Sequence, residues 1–391
     1  MKTFKRSLAL SLAMACVLLA AAGCSDTAER SATSSGVAPA ASSAAAPVAA
    51  SPSSTDLNSL SLSELTAKAK ADGDIQSVGM PDSWANWVET WDEIKSTYGI
   101  THTDTDMSSA EELALFKAEK NAPTKDIGDI GQSYGPVAKS EGMTLAYKTS
   151  YWNDVPGWAK DDNGDWITAY YGTIAFLTNK NIVTGAAPTS WQDMLNGSYK
   201  VTVGDVASAT TSQNAVLAAA YAFGGSESNI QPGIDFFAKL AEQGRLDLGD
   251  ISIDRIEKGE CQVTICFDFN ALGARDAIVS ADPNAKFEVH VPTDGSVQSG
   301  YCTIINKYAP HPYAAALARE YILSDEGQIN LAKGYAKPIR SNVTLPEDVA
   351  SKLLPNSEYV KAQPISDYSA WEKTVSEIGP KWQNEVLAKA K

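Results

Sequence analysis

Histidine is scarce in this chain of 391 residues, which contains only His102, His290 and His311. None of the three stands in an H-E-x-x-H motif or at another spacing typical of metal ligands. The sequence also lacks a G-x-S-x-G nucleophile elbow and a phosphate-binding P-loop. We therefore predict no catalytic residue, no metal site and no cofactor, and we expect a protein that is not an enzyme.

Basic residues are also few, since 32 Lys and Arg stand against 47 Asp and Glu and the formal net charge is −15. A protein that binds nucleic acid needs a basic surface, so this charge balance argues against a nucleic-acid partner. Hydrophobic residues make up 44% of the chain and charged residues 20%, as in ordinary soluble globular proteins. The length is sufficient for two domains.

Only one apolar run approaches the length of a membrane segment, residues 8–22, and three basic residues precede it without any acid. A basic segment, an apolar segment and small residues in this order are typical of an export signal, which we predict for residues 1–23. The junction Ala21-Ala22-Gly23-Cys24 resembles a bacterial lipobox, so Cys24 is the predicted lipidation site. The alternative is a soluble secreted protein that is cut nearby and has an incidental cysteine.

The segment after this junction, residues 24–56, consists almost wholly of Ser, Ala, Pro, Thr and Gly. Such a composition cannot bury a core and predicts a disordered tether. The chain is therefore expected to be exported and held by its lipid at the outer face of the cell membrane, or on the periplasmic side.

Cysteine is sparse in the remainder of the chain, where only Cys261, Cys266 and Cys302 occur. Cys261 and Cys266 lie five residues apart on one predicted strand, so their side chains point to opposite faces and cannot pair without distortion. Two alternatives are open: a bridge between Cys266 and Cys302 if their strands are neighbours, or three buried unpaired thiols.

The most informative stretch that is present covers residues 165–179, D-W-I-T-A-Y-Y-G-T-I-A-F-L-T-N. Its β-branched and aromatic residues favour a strand. Gly172 interrupts the run and indicates a bend or the close approach of a ligand, with Tyr170 and Tyr171 directly before it. This pattern is typical of a hinge strand at the mouth of a cleft, and an ordinary buried strand is the alternative.

Before this strand, a β-loop-α pattern occurs three times. We predict strands at 74–80, 100–105 and 126–131, and helices at 84–98 and 110–121, the first capped by Asp82 or Ser83 and the second by Ser108 or Ser109 with Glu111 or Glu112 nearby. In open α/β sheets ligands lie beyond the carboxyl ends of the strands, beside free N–H groups of helix N-termini. The residues at these ends are thus candidates for ligand contact, although Trp84 could equally be part of the core.

After the hinge strand the pattern repeats, with strands predicted at 199–203, 261–267 and 287–291 and helices at 212–223, 233–243 and from 271. Polar residues again follow the strands. A second Gly-aromatic segment, Ser299-Gly300-Tyr301, leads the strand predicted at 302–306 and resembles the first hinge strand. Helices are also predicted at 313–323, 328–333, 345–354 and 371–390, the last two packing on the first lobe.

The order of these elements resembles the type II solute-binding proteins of ABC importers, in the group that contains polyamine, ferric-ion and aminoethylphosphonate binders. The resemblance covers residues 74–391 and depends on W-I-T-A-Y-Y-G-T-I-A-F-L-T-N, P-T-S-W-Q-D-M-L, E-K-G-E, S-G-Y-C-T-I-I-N and L-S-D-E-G-Q-I-N-L-A-K-G-Y. It implies an α/β fold of two Rossmann-like lobes joined by two hinge strands, which close on a ligand. Lobe 1 would comprise residues 57–172 and 303–391, and lobe 2 residues 173–302.

The resemblance further implies a monomer that captures a small-molecule solute and delivers it to the transmembrane subunits of an ABC permease. The predicted ligand-binding residues are Asp82, Ser83, Trp84, Ser108, Ser109, Ser133, Tyr134, Trp152, Tyr170, Tyr171, Asp205, Ser208, Thr210, Asp268, Phe269, Asn270 and Tyr301. Among them, Tyr170 and Tyr301 would line the hinge wall, Trp84 and Phe269 would stack on the ligand, and Asp268 would anchor a donor.

The chemistry of these residues leaves the ligand's charge open. Aromatic rings and carboxylates suit an organic cation, whereas hydroxyls at helix starts, with Arg275, suit a carboxylate or phosphonate. A polyamine-like cation or a zwitterion is favoured. A ferric ion is an alternative, but consecutive strand residues point to opposite faces, so only one of Tyr170 and Tyr171 could enter the cleft. A secreted enzyme on this scaffold and a surface adhesin are further alternatives.

Overall fold

The fold is built around β4 (Trp166–Asn179), a 14-residue strand that is buried at every position except the half-buried Tyr171. Our computed structural model describes residues 56–390. The predicted export signal, Cys24 and nearly all of the tether lie outside this range. The first part of β4 pairs antiparallel with β9 (Ser296–Ile305) and its second part with β7 (Val263–Phe267). A single long strand thus runs through both halves of the sheet, as expected of a hinge strand.

The strands form one mixed sheet in the order β2-β1-β3-β9-β4-β7-β5-β6. On one side, β1, β2 and β3 are parallel to one another, and on the other side β5, β6 and β7 are parallel. Three short strands, β8, β10 and β11, pair with β4 or β9. The remaining strand bounds are β1 Asp74–Val78, β2 Thr101–Thr105, β3 Ile127–Gly131, β5 Val201–Thr202, β6 Leu246–Asp247, β8 Phe287–His290, β10 Lys337–Pro338 and β11 Ala362–Pro364.

Helices connect the parallel strands and cover the sheet. They are α1 Leu62–Asp72, α2 Trp87–Tyr98, α3 Ser109–Ala118, α4 Tyr134–Ser140, α5 Trp191–Asn196, α6 Thr210–Ala222, α7 Gln231–Glu242, α8 Ile253–Glu257, α9 Asp268–Ala281, α10 Pro312–Ile322, α11 Asp325–Lys333, α12 Glu347–Ala350 and α13 Tyr368–Lys381. The predicted start of α3 is confirmed, because the Glu111 carboxylate accepts a 2.8 Å hydrogen bond from the Ser108 amide. Ser190 caps α5, since its Oγ accepts from the Asp193 amide at 3.0 Å.

The start of α2 differs from the prediction. The helix begins at Trp87 rather than at residue 84, and neither Asp82 nor Ser83 caps it. Ala85 and Asn86 precede it with positive φ angles of 45° and 58°, a conformation that ends any regular helix. Trp84 therefore lies in the turn before α2. Helix α4 was not predicted, and α9 begins directly after β7, at Asp268 rather than at residue 271.

The end of the chain also differs from the prediction. Beyond α13 a turn of π-helix, Trp382–Val386, packs against α7, with the Trp382 and Phe237 rings 5.2 Å apart. This C-terminal segment thus contacts a helix of the part assigned to lobe 2, and the expectation that it packs on lobe 1 is wrong for this contact. The lobe boundaries themselves stay a prediction.

The three cysteines of the described region are free and buried. Cys302 lies on β9 and Cys266 on β7, and β4 runs between these two strands, which places the thiols on strands that are not neighbours. Of the two alternatives, three unpaired thiols is the one found. None of the helices within residues 56–390 combines the length and apolar character needed to span a bilayer.

Candidate functional site

A cleft of ≈ 760 Å³ lies where the loops after β1, β2 and β3 face the starts of α6, α8 and α9. Both sets of loops meet there because the carboxyl ends of parallel strands share one edge of a sheet. Ten of the residues predicted from the sequence border this cleft. They are Ser83, Trp84, Ser108, Ser109, Asp205, Ser208, Thr210, Phe269, Asn270 and Tyr301.

Aromatic rings form one wall of the cleft. The Trp84 ring lies edge-on to Phe269 at 5.3 Å and to Tyr301 at 5.5 Å. Tyr301 in turn stacks on Tyr170, its partner in the register of β4 and β9, at 5.6 Å. The wall combines a residue of the β1–α2 turn with residues of α9 and of β9, so it joins both sides of the cleft. Its ring faces can accept an organic cation.

Gly172 explains how Phe269 reaches this wall. A Cβ at Gly172 would lie 2.6 Å from Phe269 Cδ1, a distance that real Cβ atoms do not show. The glycine in the hinge strand therefore makes room for a ring of the protein itself. The irregularity of β4 lies between Thr168 and Tyr170, before the glycine.

Behind the aromatic wall, a short chain of hydrogen bonds leads to Asp129 at the end of β3. Trp84 Nε1 donates to the Tyr170 hydroxyl at 2.6 Å, and that hydroxyl donates to Asp129 Oδ2 at 2.6 Å. Asp129 borders the cleft and is buried, and its Oδ1 has no hydrogen-bond partner within residues 56–390. Burial raises the pKa of the Asp129 carboxyl well above its ordinary value.

Glu112 is a second buried acid at the cleft. It lies one turn inside α3 and is fully inaccessible to solvent. Its carboxyl group fits between two glycines of neighbouring strands: a Cβ on Gly79 would overlap Oε1, and one on Gly128 would lie 2.6 Å from Oε2. Neither oxygen has a hydrogen-bond partner in the described chain. Burial, followed by the nearby Asp129 and Asp104, raises the pKa of Glu112 well above its ordinary value.

The start of α6 forms the opposite side of the cleft. No side chain caps its first amides, and the buried Thr210 hydroxyl has no partner among the described residues. Thr211 Oγ1 lies 3.3 Å from the Tyr301 hydroxyl. The Asp205 carboxylate is already hydrogen-bonded to its own loop, since it accepts from the Ala207 amide at 2.9 Å and from the Ser208 hydroxyl. An uncapped helix start with a free hydroxyl beside it suits a carboxylate.

Asp268 lies below the cleft and does not border it. Its Oδ1 accepts from the amides of Thr173 and Phe269, at 2.9 and 3.0 Å, and its Oδ2 accepts from the Tyr359 hydroxyl at 2.7 Å. Both oxygens are therefore used within the protein. The hydrogen bonds of Asp268 thus hold the start of α9 against the hinge strand β4.

Six further predicted residues also lie away from the cleft. Ser133 and Tyr134 border a separate cavity of ≈ 430 Å³ beside α13. Tyr171 faces Trp158, with ring centroids 6.2 Å apart, and Tyr170 is fully buried behind the wall. Asp82 is exposed in the turn before α2.

Trp152 is the sixth. It lies between two lysines, with Lys148 Nζ 5.2 Å and Lys160 Nζ 4.7 Å from its ring, on a part of the surface that does not border the cleft. Arg275, which was considered for an anion, is paired with Asp276 at 2.6 Å.

Glu112 and Asp129 are the functional candidates that sequence reasoning missed. The remaining acids at the cleft, Asp106, Asp205 and Asp250, are exposed. In the region that the structure describes, no Lys, Arg or His borders the cleft. That region also contains no group of three or more His, Cys, Asp or Glu that could hold a metal ion. The cleft is thus a negative, aromatic-walled site.

Comparison with known proteins gives one family and a fold. Residues 122–361 match the model of a family described as bacterial extracellular solute-binding protein. No curated protein matches the chain.

Among solved structures, the chain is similar to the periplasmic binding protein AfuA from Actinobacillus pleuropneumoniae with bound fructose-6-phosphate, at 19% identity over 80% of this chain and 98% of that one, with a TM-score of 0.64. It is also similar to the Atu4243-GABA receptor, at 15% identity, 81% and 98% coverage and a TM-score of 0.63. A third is the apo ferric ion-binding protein A of Pasteurella haemolytica, at 14% identity, 82% and 99% coverage and a TM-score of 0.61. These likenesses confirm the predicted α/β fold, that of the type II periplasmic binding proteins.

Proposed function

Because the chain belongs to the family of bacterial extracellular solute-binding proteins, whose members carry small molecules to ABC importers, we propose that it captures a small organic cation in the cleft. A polyamine-like amine or a zwitterion with an ammonium group is the favoured ligand. The proposed carrier is a lipid-anchored monomer, held through Cys24, that delivers this solute to the transmembrane subunits of a permease and performs no catalysis.

One observation carries the proposal. Five carboxyl groups border the cleft, those of Asp106, Glu112, Asp129, Asp205 and Asp250, and no basic side chain of residues 56–390 does. A positive ligand would gain attraction from the exposed Asp106, Asp205 and Asp250, and Glu112 and Asp129 would add to it where the charge of the ligand favours their ionised form. An anionic ligand would meet only repulsion from them.

The aromatic wall supports the same ligand class. Trp84, Phe269 and Tyr301 present ring faces and edges within one wall of the cleft. A cation over a Trp or Tyr face gains about 0.5–2 kcal/mol, depending on how far it is desolvated. Carboxylates for the charge and rings for the adjoining methylene groups together fit an alkylamine.

A zwitterion is the second candidate, and the start of α6 favours it. The first amides of α6 are free of a side-chain cap, and the Thr210 hydroxyl beside them has no partner among the described residues. A ligand carboxylate there would gain from the helix dipole, while its ammonium group would face the acids across the cleft. One structural neighbour, the Atu4243-GABA receptor, is named for a ligand of this kind.

Two other ligands of structural neighbours fit this cleft less well. A sugar phosphate, such as the fructose-6-phosphate bound to AfuA, would need basic side chains, and the described cleft has none. A ferric ion would need several converging ligands. The Tyr170 hydroxyl is already bonded to Asp129 and Trp84, and Tyr171 lies on the other face of β4.

Capture would follow from closure of the two sides on the ligand. Trp84 and Phe269 approach each other across the cleft, and Gly131 at the end of β3 approaches Thr210 at the start of α6. A ligand that contacts both sides stabilises the closed form by its differential affinity.

Isothermal titration calorimetry against putrescine, spermidine, GABA, fructose-6-phosphate and ferric citrate tests the proposal. We expect binding of one or more of the three amines and none of the phosphate or the iron. Binding of the phosphate or of iron, with no amine bound, would overturn it. Small-angle scattering should show a smaller radius of gyration with the bound amine than without it.

A further inference from the structure

We propose that Glu112 and Asp129 together form the seat for an ammonium group of the ligand, at the inner end of the cleft, and that the ligand is a primary or secondary amine. This inference rests on the proposed function and names the anchor of the same site. Neither residue stood among the sites predicted from the sequence, and they are the two buried acids of the cleft lining, whereas Asp106, Asp205 and Asp250 are exposed.

The seat is formed by parts of three elements. Glu112 comes from α3, Asp129 from the end of β3, and Gly79 follows β1. A Cβ on Gly79 would overlap Glu112 Oε1 and would lie 3.2 Å from the carbonyl oxygen of Asp129. Gly79 has a φ of +70°, which few other residues adopt. The glycine thus brings the acid side chain and the β3 end close together.

Three carboxylate oxygens at this place, Oε1 and Oε2 of Glu112 and Oδ1 of Asp129, make no hydrogen bond of full geometry within the described residues. The nearest donors are the Asp129 amide beside Glu112 and the Trp87 indole beside Asp129. Glu112 is 0% exposed and Asp129 2% exposed, so water does not satisfy them. A buried acceptor without a donor is costly in a folded protein. Three such atoms beside one cleft indicate donors that arrive with a ligand.

The groups around the two acids are acidic or neutral. Asp104 and Asp106 face Glu112, while Tyr170, Asp104 and the Trp87 indole face Asp129, which also lies near Tyr301 and Cys302. No Lys, Arg or His is among these neighbours in residues 56–390. The protein therefore supplies no positive charge to the seat.

A consequence is that the ligand exchanges with protons. Burial without a basic partner raises the pKa of both carboxyls well above the ordinary range, which favours their protonated form in the free protein. When an ammonium group enters, its charge favours the carboxylate form, and the carboxyl O–H bond breaks with release of the proton to solvent. One ammonium group brings one positive charge, so the ionisation of one carboxyl, with the loss of one H⁺, leaves the net charge of the seat unchanged.

The free carboxylate oxygens also limit which class of amine can bind at the seat. A primary ammonium has three N–H donors, which match the three free oxygens, and a secondary ammonium has two, which can pair with two of them. A quaternary ammonium has no N–H and would leave all three unpaired. A metal ion is not favoured, because the described chain has no group of three or more suitable ligands.

Calorimetry with putrescine in buffers of different ionisation enthalpy, near neutral pH, measures the proton release directly. We expect about one proton released per putrescine by the wild-type protein, as the one-for-one exchange requires. Glu112→Gln and Asp129→Asn should each release fewer and bind putrescine roughly 10- to 100-fold more weakly, as expected for the loss of a charged hydrogen bond. The exposed Glu377→Gln likewise removes one carboxyl, on α13 and outside the cleft lining, and should match the wild type.

A measurement without ligand separates this inference from the proposed function. Infrared spectra of the free protein near neutral pH should show the carbonyl stretch of a protonated carboxyl, which Glu112→Gln removes and putrescine abolishes in the wild type. If putrescine binds without proton release and with equal affinity to Glu112→Gln, the seat is overturned and the proposed function stands. If no amine binds, the proposed function fails and the seat fails with it. If choline binds as tightly as putrescine, the restriction to N–H donors is wrong.

Discussion

The hydroxyl of Tyr170, in the middle of the hinge strand, donates a 2.6 Å hydrogen bond to Oδ2 of Asp129 at the end of β3. The same hydroxyl accepts from Trp84 Nε1, so the aromatic wall, the hinge strand and a cleft acid form one connected unit. Because Oδ2 of Asp129 is held in this way, Oδ1 is left free for another partner. The contact thus orients the acid as well as stabilising the fold.

Replacing Tyr170 by Phe is expected to weaken both stability and amine binding. Two buried groups, Asp129 Oδ2 and Trp84 Nε1, lose their partner, which costs about 1–3 kcal/mol of unfolding free energy. Urea unfolding and calorimetry with putrescine measure the two effects. Tyr171→Phe is the matched control, because the neighbouring hydroxyl makes no hydrogen bond within residues 56–390 and faces away from the cleft. If Tyr170→Phe and Tyr171→Phe changed stability and putrescine affinity equally, the hydrogen bonds of Tyr170 to Trp84 and Asp129 would not have the proposed role.

Removing the ring of Trp84 is expected to weaken amine binding by about 1–2 kcal/mol, through lost cation–π and packing contacts. Titration of Trp84→Ala with putrescine measures this. Trp152→Ala is the comparison, since Trp152 was predicted to bind the ligand but lies between Lys148 and Lys160, outside the cleft. Its affinity should equal that of the wild type. If Trp152→Ala loses affinity and Trp84→Ala does not, the cleft described here is not the ligand site.

Glu112 should make stability depend on pH in a definite direction. Burial raises its pKa well above the ordinary value of 4.5, so the folded chain binds this proton more tightly than the unfolded chain does. Its stabilising contribution is then fully present below a pH of about 4.5 and is lost as the pH rises toward the folded pKa. Compared with Glu112→Gln, which cannot ionise, the wild type should lose unfolding free energy as the pH rises from about 4.5 toward the raised pKa of the folded chain.

Urea unfolding of the wild type and of Glu112→Gln at a series of pH values, without any ligand, tests the direction of this pH dependence. Glu377→Gln should follow the wild type at every pH, because that side chain is exposed. A wild-type protein that gains stability over Glu112→Gln as the pH rises would show that the buried carboxyl is ionised and paired in the fold.

Much of the fold could be predicted, because local patterns determine it. The β-branched and aromatic run of β4 and the caps at Ser108 and Ser190 act over a few residues. The start of α2 could not be predicted in this way. Ala85 and Asn86 adopt positive φ where the backbone of Gly334, distant in sequence, packs against them. That contact exists only in the folded chain.

The residues of the site also fall into those that local sequence predicts and those that depend on contacts in the folded chain. Residues at strand ends, such as Trp84 and Asn270, were predictable because the edge of a parallel sheet collects them. Glu112 gave no signal, since an acid one turn inside a helix ordinarily faces solvent. It is buried here because Gly79, directly after β1, and Gly128, on β3, leave space for its carboxyl group. Trp152 was included for its position in the sequence, just before the hinge strand, yet its ring lies against lysines on another surface.

The contact between Gly131 and Thr210 offers a test of closure. Gly131 lies at the end of β3 and Thr210 at the start of α6, and a Cβ at position 131 would overlap the Thr210 hydroxyl and lie 2.6 Å from its Cγ2. In Gly131→Ala the two sides should therefore not approach fully. Overpacking of this kind costs about 1–3 kcal/mol, which would appear as roughly a 5- to 150-fold loss of putrescine affinity.

Small-angle scattering with and without putrescine separates this effect from simple unfolding. The wild-type radius of gyration should fall on binding, and that of Gly131→Ala should fall less while its circular dichroism stays native. Gly185→Ala is the control, since no atom lies within 4 Å of its added Cβ. Unchanged affinity and an equal fall for Gly131→Ala would mean that the ligand does not require this contact. Closure would then have to depend on the Trp84–Phe269 side of the cleft alone.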